Sequence, residues 1–344
     1  MSILDSIKEE NKIISIVGMA KNAGKTVTLN HIIEEAYYND VNIGITSTGR
    51  DGESEDLVTR TEKPTIYVYE DTLIATAEKT LVLGDAKVEI IDVTDYRTPM
   101  GRVVIGKVKN SGYVQIAGPN TVHTIKKVSE RMIDLGADIT LIDGALNRTS
   151  SAAPSISDGT ILSTGAVLSR DMNNVIRETL HRVSLFTLPS VKDENIRKLA
   201  SRIIDNKELA IIDKEFNIKS LNIKTALNSG KVIGENIDED TKAVVISGSL
   251  VKKTISDIID VTKRYKDVDF IIKDGTRVFI DSKVWLSIIR KGFKLKVLNP
   301  INIIAVTINP YSPKGYYFEQ REFLNKMKSF LTDVNVYDVV YGGE

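Results

Sequence analysis

The chain has no cysteine among its 344 residues. That excludes disulfides, thiol nucleophiles, iron–sulfur clusters and zinc sites built on thiolates. Histidine is nearly as scarce: His31, His123 and His181 are scattered along the chain, without the spacing of a multi-histidine metal site. Net charge is absent too, because 46 lysines and arginines are matched by 46 aspartates and glutamates. Such balance argues against a whole-surface nucleic-acid binder, although it permits a local basic groove. No run of 18 uncharged apolar residues occurs, so no membrane-spanning helix is expected. The opening MSILDSIKEENK lacks the basic start and apolar stretch of a secretory signal. The expectation is a cytoplasmic protein with neither nucleic acid nor membrane as a partner.

What is present is an ordinary globular composition, 42% hydrophobic and 27% charged, in a length that suits about two domains. Short β-branched runs alternate with amphipathic segments. Strands are expected at 13–17, 42–46, 65–69, 88–93, 103–108, 139–142 and 159–168. Helices are expected at 25–38, 74–80 and 121–135, the last ended by Gly136. Continuous apolar strands alternating with helices indicate an α/β fold: a mostly parallel sheet with helices on both faces. The more charged stretch 193–217 reads as a junction, and a second apolar program follows at 243–246, 268–272, 277–280, 294–297 and 301–306. Helices are expected around 251–265 and 318–331. The expected division is a nucleotide-binding domain over 1–190 and a smaller α/β domain over 191–344, the latter suited to meeting a partner. Trp285 and the run Tyr316-Tyr317-Phe318 read as core or helix-packing residues, with an interface as the other reading.

The most informative stretch is IISIVGMAKNAGKTVTLNHII, residues 13–33. A buried strand runs into a loop closed by Gly24-Lys25-Thr26, where a helix starts, and this is the context of a phosphate-binding P-loop. Glycine at 24 lets backbone approach an anion closely. Loop amides and the helix N-terminus then point at the phosphates. Lys25, placed by the sequence in an exposed loop, would bridge the β and γ phosphates, and the Thr26 hydroxyl would bind Mg²⁺. The strict motif has glycine where this chain has Met19; here the glycine is one earlier, at Gly18. Lys21 adds a second cation to the loop. The nucleotide-contacting set is Gly18, Lys21, Asn22, Ala23, Gly24, Lys25, Thr26 and Val27. The other reading of Gly-Lys-Thr is common helix-start chemistry.

A P-loop needs a carboxylate to organise Mg²⁺. Asp143 ends the apolar run ITLIDGA, the pattern of a Walker B strand, and Gly144 lets the chain turn near a ligand; a strand-end turn cap is the alternative. Asp51 and Glu53 follow the second strand in TSTGRDGESED, with Glu55 and Asp56 behind them and Arg50 alongside. Many P-loop proteins of the dethiobiotin-synthetase and MinD-like class carry an acidic residue there that holds Mg²⁺ or orients a nucleophile. Asp51 is therefore the second metal candidate, and Lys25, Asp51 and Asp143 are the catalytic set. A solvated acidic loop is the plainer reading. Two more loops are expected at the same sheet edge: AGPNT, where Asn120 is placed to cap the next helix, and 147–151, where Arg148 reads first as an ordinary loop arginine and second as a group that meets a phosphoryl oxygen. Thr307-Ile308-Asn309-Pro310 is not a guanine-reading N-K-x-D signature and falls in the expected second domain, which leaves ATP as the nucleotide.

GMAKNAGKT at 18–26, ITSTGRDGE at 45–53 and LIDGALNR at 141–148, followed by SSA, together resemble the small KamB-type P-loop subunit of lysine 5,6-aminomutase reactivase. The likeness in layout extends over the whole chain. It implies a chaperone-like role in lysine fermentation: ATP-coupled release of damaged cobalamin from an adenosylcobalamin-dependent aminomutase, together with a larger MutS-like ATPase subunit. It carries over to Gly18, Lys25, Thr26, Asp51 and Asp143. No base-off cobalamin motif is present, so cobalamin is not expected on this chain. Two other readings stand beside it: a dethiobiotin-synthetase-like ATP-dependent ligase or kinase, and a nucleotide-sensing module that does not hydrolyse.

Overall fold

The computed structural model describes residues 2–7, 9–48, 66–144, 156–221, 223 and 229–340. The chain is a mixed α/β protein that separates into two compact units: Met1–Leu180 with Asn302–Glu344, and His181–Ile301. The expected single cut near residue 190 is thus replaced by an insertion. The last 43 or so residues return to the first unit because their apolar strands pair into its sheet. Asn309 belongs to that first unit and not to the second.

Within the first unit, the strands before the insertion are β1 (Ile13–Gly18), β2 (Ile43–Ser47), β3 (Ile66–Val68), β4 (Leu73–Ala77), β5 (Lys87–Thr98), β6 (Gly101–Asn110), β7 (Gly112–Val114), β8 (Ile139–Asp143) and β9 (Gly159–Gly165). Helices α1 (Lys25–Tyr38) and α2 (Val122–Asp134) connect them, and α3 (Met172–Phe186) contains the boundary between the units. The inserted unit holds β10 (Leu209–Asp213), β11 (Ile218–Ser220), β12 (Thr241–Ile246), β13 (Leu250–Val251), β14 (Asp269–Ile272), β15 (Val278–Phe279) and β16 (Lys294–Val297). Its helices are α4 (Glu194–Asp205), α5 (Gly230–Asn236), α6 (Lys252–Val261) and α7 (Ser282–Arg290). The chain then returns through β17 (Ile303–Asn309), the small hairpin β18 (Tyr311–Ser312) and β19 (Tyr316–Tyr317), α8 (Gln320–Phe330) and β20 (Asn335–Asp338).

The main sheet has nine strands in the order β20-β17-β9-β1-β8-β2-β4-β6-β5. From β20 to β4 the neighbours are parallel, and the β5–β6 hairpin adds two antiparallel strands at one edge. Alternation along each strand sorts residues to two faces. Ile14 and Ile16 of β1, Ile45 of β2 and Leu141 of β8 pack with Leu29, Ile32, Ile33 and Ala36 of α1. On the other face Val128 and Met132 of α2 pack with Leu73, Ala75, Val103 and Ile105, and Ile125 meets Ile13 and Ile142. From β1 the chain passes α1 to β2 on one side, whereas β9 leads to β17 and β20 on the other. The crossing direction therefore reverses beside β1. In open α/β sheets such a switch point opens a crevice at the carboxyl ends of the strands.

Several sequence expectations change here. Of the helix expected at 74–80, residues 74–77 belong to a strand (Leu73–Ala77), because LIATA is buried on both faces and an apolar run has no period to distinguish the two; only from Glu78 does the chain turn helical, in the short 3-10 helix Glu78–Leu83. The strand at 66–68 leaves the main sheet and pairs antiparallel with β7. Thr121, not Asn120, caps α2: its hydroxyl accepts from the Thr124 amide at 3.1 Å in a capping box. The 193–217 stretch is no junction. Asp193 caps α4, accepting from the Asn195 and Ile196 amides, and Ile196, Ala200, Ile203 and Ile204 enter the core of the inserted unit.

That unit is a five-stranded sheet in the order β11-β10-β12-β14-β16, parallel from β12 to β16. Helix α4 covers Ala210, Ile212, Ala243, Val245 and Ile271. Helices α6 and α7 cover the opposite face around Phe270, where Trp285 is buried. Of the aromatic run at 316–318, Phe318 is buried, Tyr317 is exposed, and the Tyr316 hydroxyl donates to the Ala166 carbonyl at 2.8 Å.

Helix α1 carries a local pH-sensitive pair. His31 Nε2 lies 3.1 Å from Glu35 Oε1 one turn on, and Glu35 Oε2 accepts from the Leu4 amide at 3.0 Å. The hydrogen bond to Glu35 raises the His31 pKa above 6.5 against the cost of burial. Burial opposes ionisation of Glu35, but the His31 and Leu4 hydrogen bonds outweigh it and hold the carboxyl below 4.5. The histidine's contribution is complete below pH 6.5 and is lost as pH rises through its raised folded value; the glutamate's is lost as pH falls through its lowered one. His31→Gln is therefore expected to cost roughly 0.5 kcal/mol near pH 5.5 and much less at pH 8.5, read from urea unfolding at both values.

Candidate phosphate-binding site

The site is built where β1 gives way to α1 beside the switch point. Residues 19–24 form the turn between them. The turn is fixed at both ends: the Met19 amide donates to the Ser163 carbonyl of β9 at 2.9 Å, and the Thr28 amide donates to the Gly24 carbonyl at 2.9 Å. Two residues adopt left-handed backbone, Asn22 at φ 61° and Gly24 at φ 99°. Gly24 is the N-cap of α1, and no side chain caps that end. The first amides of a helix have no intrahelical acceptor. Their dipoles sum to a partial positive charge at this end, which is a site suited to an anion.

Gly18 is required for a packing reason. A Cβ there would sit 2.8 Å from Cγ and 3.0 Å from Cδ of Lys25, so the aliphatic arm of the lysine lies across the glycine. That arm brings Lys25 Nζ to 3.1 Å from Asp143 Oδ1, and Nζ also donates to the Gly144 carbonyl. The lysine is not an exposed loop residue: it is the first residue of α1, with its side chain 16% exposed against 10% for Asp143. Adjacent parallel strands create this meeting. Ile16 of β1 and Ser47 of β2 both align with Asp143 at the end of β8, and the Gly144 and Thr48 amides donate to the carbonyls of Ile16 and Asp143.

The structure thus brings together Gly18, Lys21, Asn22, Ala23, Gly24, Lys25, Thr26 and Val27 on one turn and helix start, with Asp143 alongside. Ala23 is buried, and Val27 is exposed. Asp51, Glu53, Glu55, Asp56 and Arg50 lie outside the described residues, as do Arg148 and its neighbours at 147–151. Among the described residues no group of three or more acidic or histidine side chains is placed to hold a metal. A divalent ion here would take Asp143, the Thr26 hydroxyl and oxygens of its ligand. The AGPNT loop does reach this edge: the Gly118 amide donates to Ser47 Oγ at 3.0 Å, and the Ala117 amide to Thr76 Oγ1 at 2.9 Å.

Sequence reasoning missed the groups that support the loop from behind. Thr28 of α1, Thr307 of β17 and Ser163 of β9 share a buried hydroxyl cluster: Thr28 to Thr307 is 2.8 Å, and Thr307 to Ser163 is 2.8 Å. It ties α1 to two strands on the far side of the switch point. Asn309, at the end of β17, touches the turn itself. An Asn-Pro pair closing an apolar strand was the available signal, but sequence does not reveal that this strand lies next but one to β1.

No protein-family model matches the chain, and comparison with curated proteins finds no match.

Proposed function

We propose that the chain binds ATP with Mg²⁺ at this edge and serves as the ATP-binding subunit of a reactivase for an adenosylcobalamin-dependent lysine aminomutase. The observation that carries the nucleotide reading is the Lys25 ammonium, 3.1 Å from Asp143 Oδ1, beside the start of a helix whose N-cap is a glycine, so that no side chain caps its first amides. A cation, a helix N-terminus and a strand-end carboxylate are what a metal–triphosphate requires. The residues fit: glycine at 18 and 24 leaves room along the lysine arm and permits the left-handed turn.

On this reading the amides of the turn and of the start of α1 hold phosphate oxygens, Lys25 contacts the terminal phosphates, and Thr26 and Asp143 hold Mg²⁺. The ion supplies charge neutralisation between phosphates when bound. Asp51 is the proposed further acidic group. The ammonium rests on Asp143 and Gly144, so on this reading a phosphate ligand would draw Lys25 away from them. An exchange of Asp143 for phosphate at Lys25 would give ATP a means of favouring one conformation, and ATP drives release from a partner only through such differential binding. The partner assignment, a MutS-like ATPase subunit and the aminomutase, rests on the resemblance of the three motifs.

The test is restoration of activity. An aminomutase inactivated by turnover is mixed with this chain, the MutS-like subunit, adenosylcobalamin, Mg²⁺ and ATP. Recovery that needs all of them is expected, and equal recovery without ATP or without this chain overturns the reading. For the site itself, Asp143→Asn is expected to raise the Mg²⁺ concentration for half-maximal ATP binding about tenfold while changing metal-free ATP affinity little. Calorimetric titrations at several Mg²⁺ concentrations read this out, and an unmoved metal dependence makes Asp143 a turn residue only.

A further inference from the structure

We infer that Asn309 is the positioning residue of the phosphate loop, setting the left-handed turn from a strand that lies after the inserted unit in the chain. The inference rests on the nucleotide reading above. Asn309 ends β17, two strands from β1 in the sheet, and its carboxamide uses both ends. Nδ2 donates to the Asn22 carbonyl at 3.1 Å, and Oδ1 accepts from the Tyr311 amide at 3.0 Å. The two bonds fix the orientation of the amide, since only nitrogen can donate and only oxygen can accept.

The contact falls where the loop most needs support. Asn22 is a non-glycine residue at φ 61°, a conformation that costs energy and persists when its surroundings hold it. Two residues on, a Cβ at Gly24 would lie 3.1 Å from Asn309 Cβ, so the asparagine also packs against the left-handed N-cap of α1. Its own backbone is close-packed from the other side, where a Cβ at Gly165 would lie 3.1 Å from the Asn309 carbonyl carbon. Pro310 follows immediately, and its carbonyl accepts from the Phe318 amide at 2.9 Å. Asn309 is therefore clamped between β9 and the 311–317 hairpin, and it reaches the loop through its carboxamide at Asn22 and its Cβ beside Gly24. By holding the Asn22 carbonyl it fixes the 22–23 peptide, whose amide donates back to the Ala20 carbonyl at 3.3 Å, and so sets how the turn enters Gly24 and the start of α1, where the proposed phosphates would bind. Fixing the turn before binding lowers the ordering cost that a ligand must otherwise meet.

Asn309→Ala removes both bonds, whereas Asn309→Ser can still accept from the Tyr311 amide but is too short to reach Asn22. Binding is read with two probes, ATP·Mg²⁺ and inorganic tripolyphosphate·Mg²⁺. Both variants are expected to weaken both probes by the same factor, about tenfold, and to speed amide hydrogen exchange across 20–24 in the ligand-free protein while exchange in β14 of the inserted unit stays unchanged. A loss confined to ATP overturns the inference and makes Asn309 a nucleoside contact. Full affinity in Asn309→Ser with loss only in Asn309→Ala also overturns it, because the role is then the 309–311 turn. If the wild-type chain binds neither probe, the nucleotide reading fails by itself, and exchange at 20–24 still decides whether Asn309 holds the loop.

Discussion

Replacing Lys25 with methionine is expected to weaken ATP·Mg²⁺ binding by roughly a hundredfold, since the proposed phosphate contact is a charge-assisted hydrogen bond and methionine keeps the length of the arm. The arm lies across Gly18, so truncation to alanine would also remove packing; methionine separates charge from volume. A second effect follows from the Lys25–Asp143 pair. Asp143, with a side chain only 10% exposed, loses its ammonium partner, and the buried carboxylate is expected to cost about 1–3 kcal/mol of stability. The double variant Lys25→Met/Asp143→Asn removes that charge as well. It should regain most of the stability and none of the affinity. Titration calorimetry and urea unfolding on the three proteins separate the two consequences. Unchanged affinity in Lys25→Met would remove the phosphate assignment.

Phe270→Ala is expected to have the largest effect on folding. Phe270 is fully buried in β14 and stacks on Phe293, with ring centroids 4.1 Å apart and planes 17° from parallel. It sits within the cluster that joins α6 and α7 to the inserted sheet. Deleting such a side chain loses its transfer free energy and leaves a cavity, about 3–5 kcal/mol in total. Phe270→Leu keeps more of the volume and should cost less than half as much. Urea unfolding followed through Trp285, the chain's one tryptophan, which is buried in the same cluster, reports on this unit directly. A loss under 1 kcal/mol for the alanine variant would mean that the site collapses around the missing ring.

Much of the proposed site was legible because its chemistry is local. A strand, a turn with Gly24-Lys25-Thr26 and a helix occupy consecutive residues, and the left-handed N-cap at Gly24 is a demand that glycine meets at no cost. The apolar run ending in Asp143 was legible for the same reason: a strand buried on both faces needs an uninterrupted β-branched and aliphatic stretch, and the charged residue that closes it marks the sheet edge. Period failed where burial erased it. LIATA at 73–77 has apolar or small residues at every position, so nothing in its pattern separates a central strand from a short helix. Sequence also placed the boundary between units too simply, because amphipathic periodicity reports that a strand has a partner and not which partner. Nothing in the residues of β17 distinguishes pairing with β9, before the insertion, from pairing with β16, just upstream.

By itself, then, the amino-acid sequence determined the α/β class, the turn and helix start that present Lys25, and the carboxylate at the end of an apolar strand, since each depends on neighbours a few residues away. The tertiary structure alone decided that β8 lies directly beside β1, which puts Asp143 within reach of Lys25. It alone decided that residues 181–301 interrupt a unit that closes only with residues 302–344, and that Asn309 supports a turn 287 positions earlier in the chain. Those are outcomes of strand order. Parallel pairing joins segments through crossovers of any length, and it is the shared burial of both sheet faces that selects which strands become neighbours.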